Sequence, residues 1–446
     1  MLPVKENDGK AKWRYRRYLA GILCFPIWIV GYTILKIKQP SEMFSDTSLM
    51  ELHSKIDPSK VRAILEGEYH LIELGVSHGS LSDERHSRLD KSSNQNENPV
   101  YDGVTATFCP INWELQKSNP SLVPMYRELI SKEGCDRNRF TMNMRKISEL
   151  ARSYDESMEN KVAGAARVKQ LKLGGVVFHE SRCGSTLVAN LLSASNPRAH
   201  RLYSESHPPI AVLKACSLKN CNREKQKLLL RDVFYLMSRS ASKEETHVFF
   251  KIQSIGVYHI PAFARIFPNV PWIYVYRDSI EVLASQLKHK LDDTSYAACL
   301  RSKKRPDKVI HELAEHHGKK VSDLTNVEFC AAHVGAMCKA GLGGLELPSS
   351  KGRAVNYATL PEAIWETILP QHFKISFSED TKSMLERLKG LSQVYSKGFR
   401  GRANKEWVED SERKQEVATP AIREAAKLFI QPYFEQLQRH SKKTMI

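Results

Sequence analysis

The segment that most constrains this chain is Gly175–Leu192, GVVFHESRCGSTLVANLL. Gly175–His179 is a short apolar run bounded by glycine and polar residues, which predicts a buried strand. Leu187, Leu191 and Leu192 recur at helical spacing, which predicts a helix over Ser185–Ala194. A strand that passes into a helix through so short a turn points backbone N–H groups at one spot, where the helix dipole also favours an anion. Gly184 lets the backbone approach a phosphate closely. Ser185 and Thr186 add hydroxyl donors, and Arg182 adds a fixed charge with a planar fork of donors. The candidate anion-binding residues are therefore Arg182, Cys183, Gly184, Ser185, Thr186 and Leu187, although Cys183 brings no clear chemistry of its own. The pattern is not GxxxxGK[ST], so the lysine and magnesium-binding hydroxyl of a P-loop NTPase are missing. The plain alternative is a serine helix cap.

Downstream, apolar strands alternate with helical patterns. Strands are expected at Arg201–Ser204, His247–Gln253 and Pro271–Tyr276. Helices are expected near Glu224–Ser238, Gly256–Phe267, Ser279–His289, Asn326–Lys339 and Pro361–Leu369, with an amphipathic stretch at Pro420–Arg439 kinked at Pro432. Such alternation implies right-handed βαβ units and a parallel sheet, hence an α/β fold. In Tyr274–Ser285 an arginine, Arg277, leaves the end of a strand, and Ser285 follows eight residues later (285 − 277) on the next helix. Strand C-termini form the ligand crevice of a parallel sheet, so Arg277 and Ser285 are placed to grip a second phosphate. A surface salt bridge of Arg277 with Asp278 is the alternative.

Together the two segments resemble the sulfotransferase family. The first is similar to its 5′-phosphosulfate motif and the second to its 3′-phosphate motif, in the family's order and with its Arg-to-Ser spacing. The resemblance covers about Gly174–Gln438. Cytosolic members usually carry lysine where this chain has Arg182, and membrane-bound, carbohydrate-acting members often carry arginine. The resemblance implies a P-loop-like fold with a central parallel sheet flanked by helices, and 3′-phosphoadenosine-5′-phosphosulfate (PAPS) as co-substrate without a metal. It also implies transfer of a sulfuryl group to an acceptor hydroxyl. Arg182 and the loop amides would stabilise the charge that builds on the leaving oxygen, and a base would take the acceptor proton. Glu205, 21 residues after Gly184, stands where heparan-type members place a catalytic glutamate; a structural carboxylate is the alternative. His207 is the runner-up base, and His179 ranks third because it lies inside the first strand. Lys251 points to the same crevice, to bind sulfonate or acceptor, or else snorkels at the surface. Tyr395–Arg402 resembles the family's late nucleotide-closing loop, with Arg400 as its candidate contact; a solvated basic turn is the alternative.

The rest of the chain supplies a setting. Tyr18–Leu35 holds 18 residues without a charge, preceded by Lys5, Lys10, Lys12, Arg14, Arg16 and Arg17. This predicts an uncleaved anchor with a cytoplasmic N-terminus, with a cleaved signal peptide as the alternative. The expected organisation is a cytoplasmic tail (1–17), a transmembrane anchor (18–36), a flexible stem (37–100), an N-terminal helical subdomain (101–165) and the catalytic domain (170–440). A type II protein of the Golgi membrane follows from the short span and the resemblance. The formal net charge of +17 favours anionic partners, and a glycan acceptor is preferred over nucleic acid, for which no motif is present. Of nine cysteines, some should pair in an oxidising lumen, and Cys216 with Cys221 suits a small loop. A kinase-like phosphotransferase is disfavoured by the missing Walker lysine. A catalytically inactive protein of the same fold, binding nucleotide or sulfated glycan, remains the alternative.

Overall fold

A computed structural model describes residues 57–77, 79–82, 100–132, 134–157, 168–216, 221–287, 298–376, 381–397 and 405–443. The expected anchor at 18–36 and Arg400 lie outside them. Among the described residues, no helix is long and apolar enough to cross a membrane.

The described chain opens with a helix, Pro58–Leu65, and three strands: β1 (Tyr69–Val76), β2 (Val104–Pro110) and β3 (Phe140–Asn143). They form an antiparallel sheet in the order β1-β2-β3. Helix α1 (Met144–Glu156) follows, its first turn capped by the Asn143 side chain, which accepts the Lys146 N–H. This corrects two expectations. Residues 101–165 are not purely helical, because Val104, Ala106 and Phe108 alternate with more exposed partners and face the core. The stem does not reach residue 100 unbroken, because Leu71, Ile72 and Leu74 of β1 are buried. A disulfide, Cys109–Cys135, ties this layer together, and the rings of Trp113 and Tyr126 each lie 5.0 Å from that of Tyr203 on the main sheet.

The main sheet comprises β4 (Lys172–His179), helix α2 (Ser185–Ser195), β5 (His200–Ser204), helices α3 (His207–Ala215) and α4 (Arg223–Ser238), β6 (His247–Lys251), β7 (Trp272–Tyr276), helices α5 (Ser279–Gln286) and α6 (Asn326–Leu345), and β8 (Gly352–Asn356). Its order is β8-β7-β4-β6-β5, and every pairing is parallel. Both faces are covered, which explains why β7 reads as an unbroken apolar run. Val176, Phe178, Phe250, Trp272 and Tyr274 pack on one side; Val177, Phe249, Ile273 and Val275 pack under α2 on the other. The edge strand β8 was not anticipated, since Gly-Arg-Ala-Val-Asn carries no apolar run. The C-terminal stretch is two helices, α8 (Pro420–Phe429) and α9 (Gln431–Lys443), after a short α7 (Ser411–Glu416). Pro432 sits in the first turn of α9, where its missing N–H costs nothing, so the chain restarts there rather than kinking.

The chain leaves β4 toward β5 and leaves β7 toward β8, on opposite sides of the sheet. The gap between the C-termini of β4 and β7 is thus the topological switch point, where open α/β sheets bind ligands.

Candidate active site

The turn after β4 enters that gap. Ser181 and Arg182 take left-handed φ values of 73° and 56°, and Gly184 takes 82°. Non-glycine residues adopt this conformation rarely, and it persists where surrounding structure enforces it. Turns of this kind can bring backbone N–H groups toward one concavity, and α2 begins at Gly184 with no side chain among the described residues capping its first turn. Cys183 points away: its thiol is buried, donates to the Val275 carbonyl at 3.1 Å, and is pushed up to about 12 by burial. Its role is to anchor the turn to β7.

The same cleft is lined by Arg182, Gly184, Ser185, Thr186 and Leu187 of the turn and α2, by Glu205 after β5, and by Arg277 and Ser285 after β7. Arg182 Nε donates to Ser285 Oγ at 3.0 Å, so the two segments separated by about 95 residues (277 − 182) meet side chain to side chain. Glu180 couples them from below. Its carboxyl accepts the Arg277 N–H at 2.7 Å and the Cys338 thiol at 2.9 Å, and burial raises it to about 8.

Arg277 is buried and heavily engaged. It pairs with Glu281, reaches Asp410 and Ser411 at 3.3 Å, and stacks 3.9 Å from the Tyr357 ring centroid. The expected alternative partner, Asp278, is instead the cap of α5, accepting from Ile280 and Glu281. Lys414 holds Asp410 at 2.6 Å.

On the other side of the turn lies a charged cluster. Glu205 has a left-handed φ of 54°, and its N–H donates to the Lys251 carbonyl at 2.7 Å. Lys251, fully buried at its side chain, pairs with the Glu205 carboxylate. Burial alone would raise Glu205, but the charges of Lys251, His179 and Lys397 and the Lys251 hydrogen bond bring it down to about 2. His179 Nε2 lies 3.8 Å from Glu205 Oε1, and its imidazole is lowered to about 3 by burial and then by Lys251. Lys397 is lowered to about 8, first by burial, then by the neighbouring Lys251 and Arg182 charges. Neither Arg182 nor Lys397 forms an ion pair among the described residues. The cluster thus carries three cations, Arg182, Lys251 and Lys397, against the Glu205 carboxylate and, beside Lys397, that of Glu128. An anion supplied from outside would balance it.

Apart from Cys183, the sequence candidate that is set apart from the cleft among the described residues is His207. It begins α3, and its Nδ1 accepts the Leu74 N–H at 3.4 Å, turned toward β1. Sequence reasoning missed Tyr357, Trp407, Asp410 and Lys414, and it quoted Lys397 only within a stretch. Tyr357 directly follows the unanticipated β8, so recognising that strand would have flagged it. The remaining residues come from a late segment with no strand or motif to announce them. Among the described residues, no group of three or more His, Cys, Asp or Glu is placed to hold a metal.

No protein-family model and no curated protein matches the chain. Solved structures it is similar to include sulfotransferases. One, from Mycobacterium avium, is 12% identical, with a TM-score of 0.35 over 66% of this chain and 81% of that one. Another, from Alicyclobacillus acidocaldarius, is 10% identical, with a TM-score of 0.31 over 61% and 96%. A sulfotransferase domain from the curacin biosynthetic pathway is 11% identical, with a TM-score of 0.30 over 58% and 98%.

Proposed function

We propose that this protein transfers a sulfuryl group from PAPS to an acceptor hydroxyl, with a carbohydrate as the preferred acceptor class. The observation that carries the reading is the convergence of Arg182 and Arg277 at the switch point, with Ser285 bonded to Arg182. The residues present fit a doubly anionic nucleotide. The turn amides, Ser185 and Thr186 suit the 5′ end, and the charges of Arg182 and Lys397 suit its sulfonated phosphate. Arg277 suits the 3′-phosphate, which would take the place of the Asp410 carboxylate on the guanidinium.

In the transfer, the bond from sulfur to the donor's bridging oxygen breaks while the acceptor oxygen bonds to sulfur. Arg182 and the turn amides meet the negative charge left on the bridging oxygen. Glu205, kept ionised by Lys251, takes the acceptor proton. Its low basicity is suited to a proton that becomes acidic only as the new bond forms. Lys251 holds the carboxylate in place. The apolar run at 18–35, its flanking cations and the three disulfides support a membrane-anchored enzyme working in an oxidising compartment such as the Golgi lumen.

The test is calorimetric binding of adenosine 3′,5′-bisphosphate to the full-length protein and to Arg277→Ala. Micromolar binding without added metal, weakened at least about 30-fold in the variant, is expected for loss of a charge-assisted bidentate contact. A folded wild-type protein that does not bind the bisphosphate would sink the proposal. Binding without sulfuryl transfer to any acceptor would favour the catalytically inactive reading.

A further inference from the structure

His179 is the most constrained unexplained group in the cleft. It ends the central strand β4, three residues before Arg182, and is 4% exposed. Its Nδ1 accepts the Ser181 N–H at 3.0 Å, so that nitrogen carries no proton. The ring is neutral, because burial and the neighbouring Lys251 charge disfavour the imidazolium. A neutral imidazole whose Nδ1 accepts must bear its proton on Nε2. That Nε2 is buried and, among the described residues, makes no hydrogen bond of good geometry: the Ile252 backbone lies near the ring and favours its charged form only weakly, and Glu205 Oε1 at 3.8 Å is beyond hydrogen-bond range. A buried donor left without a partner costs stability, and this one is aimed into a cleft between the anion-binding turn and Glu205.

We infer that His179 is a hydrogen-bond donor to a non-bridging oxygen of the transferring sulfonyl group, and not a base. This rests on the sulfuryl-transfer reading above and assigns one more contact within it. The Ser181 N–H fixes the ring tautomer, and the same bond links the ring to the strained turn. The donor is therefore preorganised toward the place where charge grows during transfer, and it needs no proton of its own to move. No base role is open to it, because its only free nitrogen is already protonated.

Two substitutions separate the two nitrogens. His179→Asn keeps an acceptor for the Ser181 N–H and removes the distal donor. His179→Gln keeps an amide donor near the Nε2 position. Three quantities are compared in the full-length protein: affinity for adenosine 3′,5′-bisphosphate, affinity for PAPS, and kcat for transfer of radiolabelled sulfate to a pool of desulfated polysaccharides. For His179→Asn the expected result is unchanged bisphosphate affinity, within about twofold, loss of part of the extra affinity for PAPS, and a kcat drop of about 30- to 100-fold. That drop is near the lower end for loss of one transition-state donor. His179→Gln should recover at least about a third of the PAPS increment and of kcat. Equal kcat in His179→Asn and wild type overturns the inference while leaving the sulfuryl-transfer reading intact. A bisphosphate affinity that falls tenfold or more in His179→Asn overturns it too, because the residue would then only shape the turn. A wild-type protein that binds neither nucleotide overturns both.

Discussion

Replacing Lys251 by methionine tests the charged core of the site. Lys251 is buried, and Glu205 is its ion-pair partner with 27% of its side chain exposed. An ordinary glutamate near 4.5 that is held at about 2 prefers its charged form in the native state by about 3 kcal/mol. Lys251 is the largest of the influences that lower it. Lys251→Met leaves the carboxylate half-buried without its cation, so the variant should be less stable by about 3 kcal/mol at pH 7, in line with broken buried pairs. The sign follows from the direction of the shift. A carboxyl lowered on folding contributes stability that is present above its ordinary value and is lost as pH falls from about 4.5 toward 2. The gap between wild type and variant should therefore be full at pH 7 and shrink by pH 3, where the variant's Glu205 is protonated and no longer an uncompensated charge, although wild-type Glu205, held at about 2, is still ionised. Denaturant unfolding at both pH values, with disulfides intact, measures it. A Lys251→Met/Glu205→Gln double variant should recover most of the loss, because the uncompensated charge is then gone. A gap below about 1 kcal/mol at pH 7, or one of equal size at pH 3, would refute the ion-pair account.

Two further substitutions probe the nucleotide side. Gly184→Ala places a Cβ at 2.4 Å from Cδ2 of Tyr357 and forces alanine into a φ of 82°; the backbone term alone costs about 1–2 kcal/mol, and bisphosphate binding should weaken at least about tenfold. Binding unchanged by this variant would mean that the turn does not hold the nucleotide. Asp410→Asn removes a carboxylate 3.3 Å from Arg277 while keeping its shape, so affinity for a nucleotide bearing a 3′-phosphate should rise roughly three- to tenfold, the size of a lost like-charge repulsion at a partly exposed position. Titration calorimetry reads both, and a weaker-binding Asp410→Asn would show that Asp410 helps to build the site.

Much of the local architecture was legible. The run at 175–179, the leucines of α2 and the apolar β7 each state their period and length in a few consecutive residues, and the observed strands and helix lie within a few residues of those expectations. The β1 layer was misread because its apolar residues border the polar stretch after residue 77, and local composition blurs a strand edge beside such a run. Edge strand β8 escaped for a different reason: it is five residues long, begins with glycine and buries an arginine, Arg353. A strand of this kind is recognised by what pairs with it, and β7 is far away in sequence.

The sequence by itself determined that a strand, a glycine turn and a helix start follow one another at 175–195, a backbone geometry that any such stretch shares. It also determined that Arg277 and Ser285 lie at the mouth of the sheet. Tertiary structure alone decided that Ser285 bonds Arg182, that Lys251 pairs with Glu205, that His207 faces β1 instead of the cleft, and that His179 Nδ1 accepts the Ser181 N–H. Those are properties of long-range pairs. A side chain's charge and tautomer depend on burial and on neighbours brought from distant positions, and no local pattern encodes either.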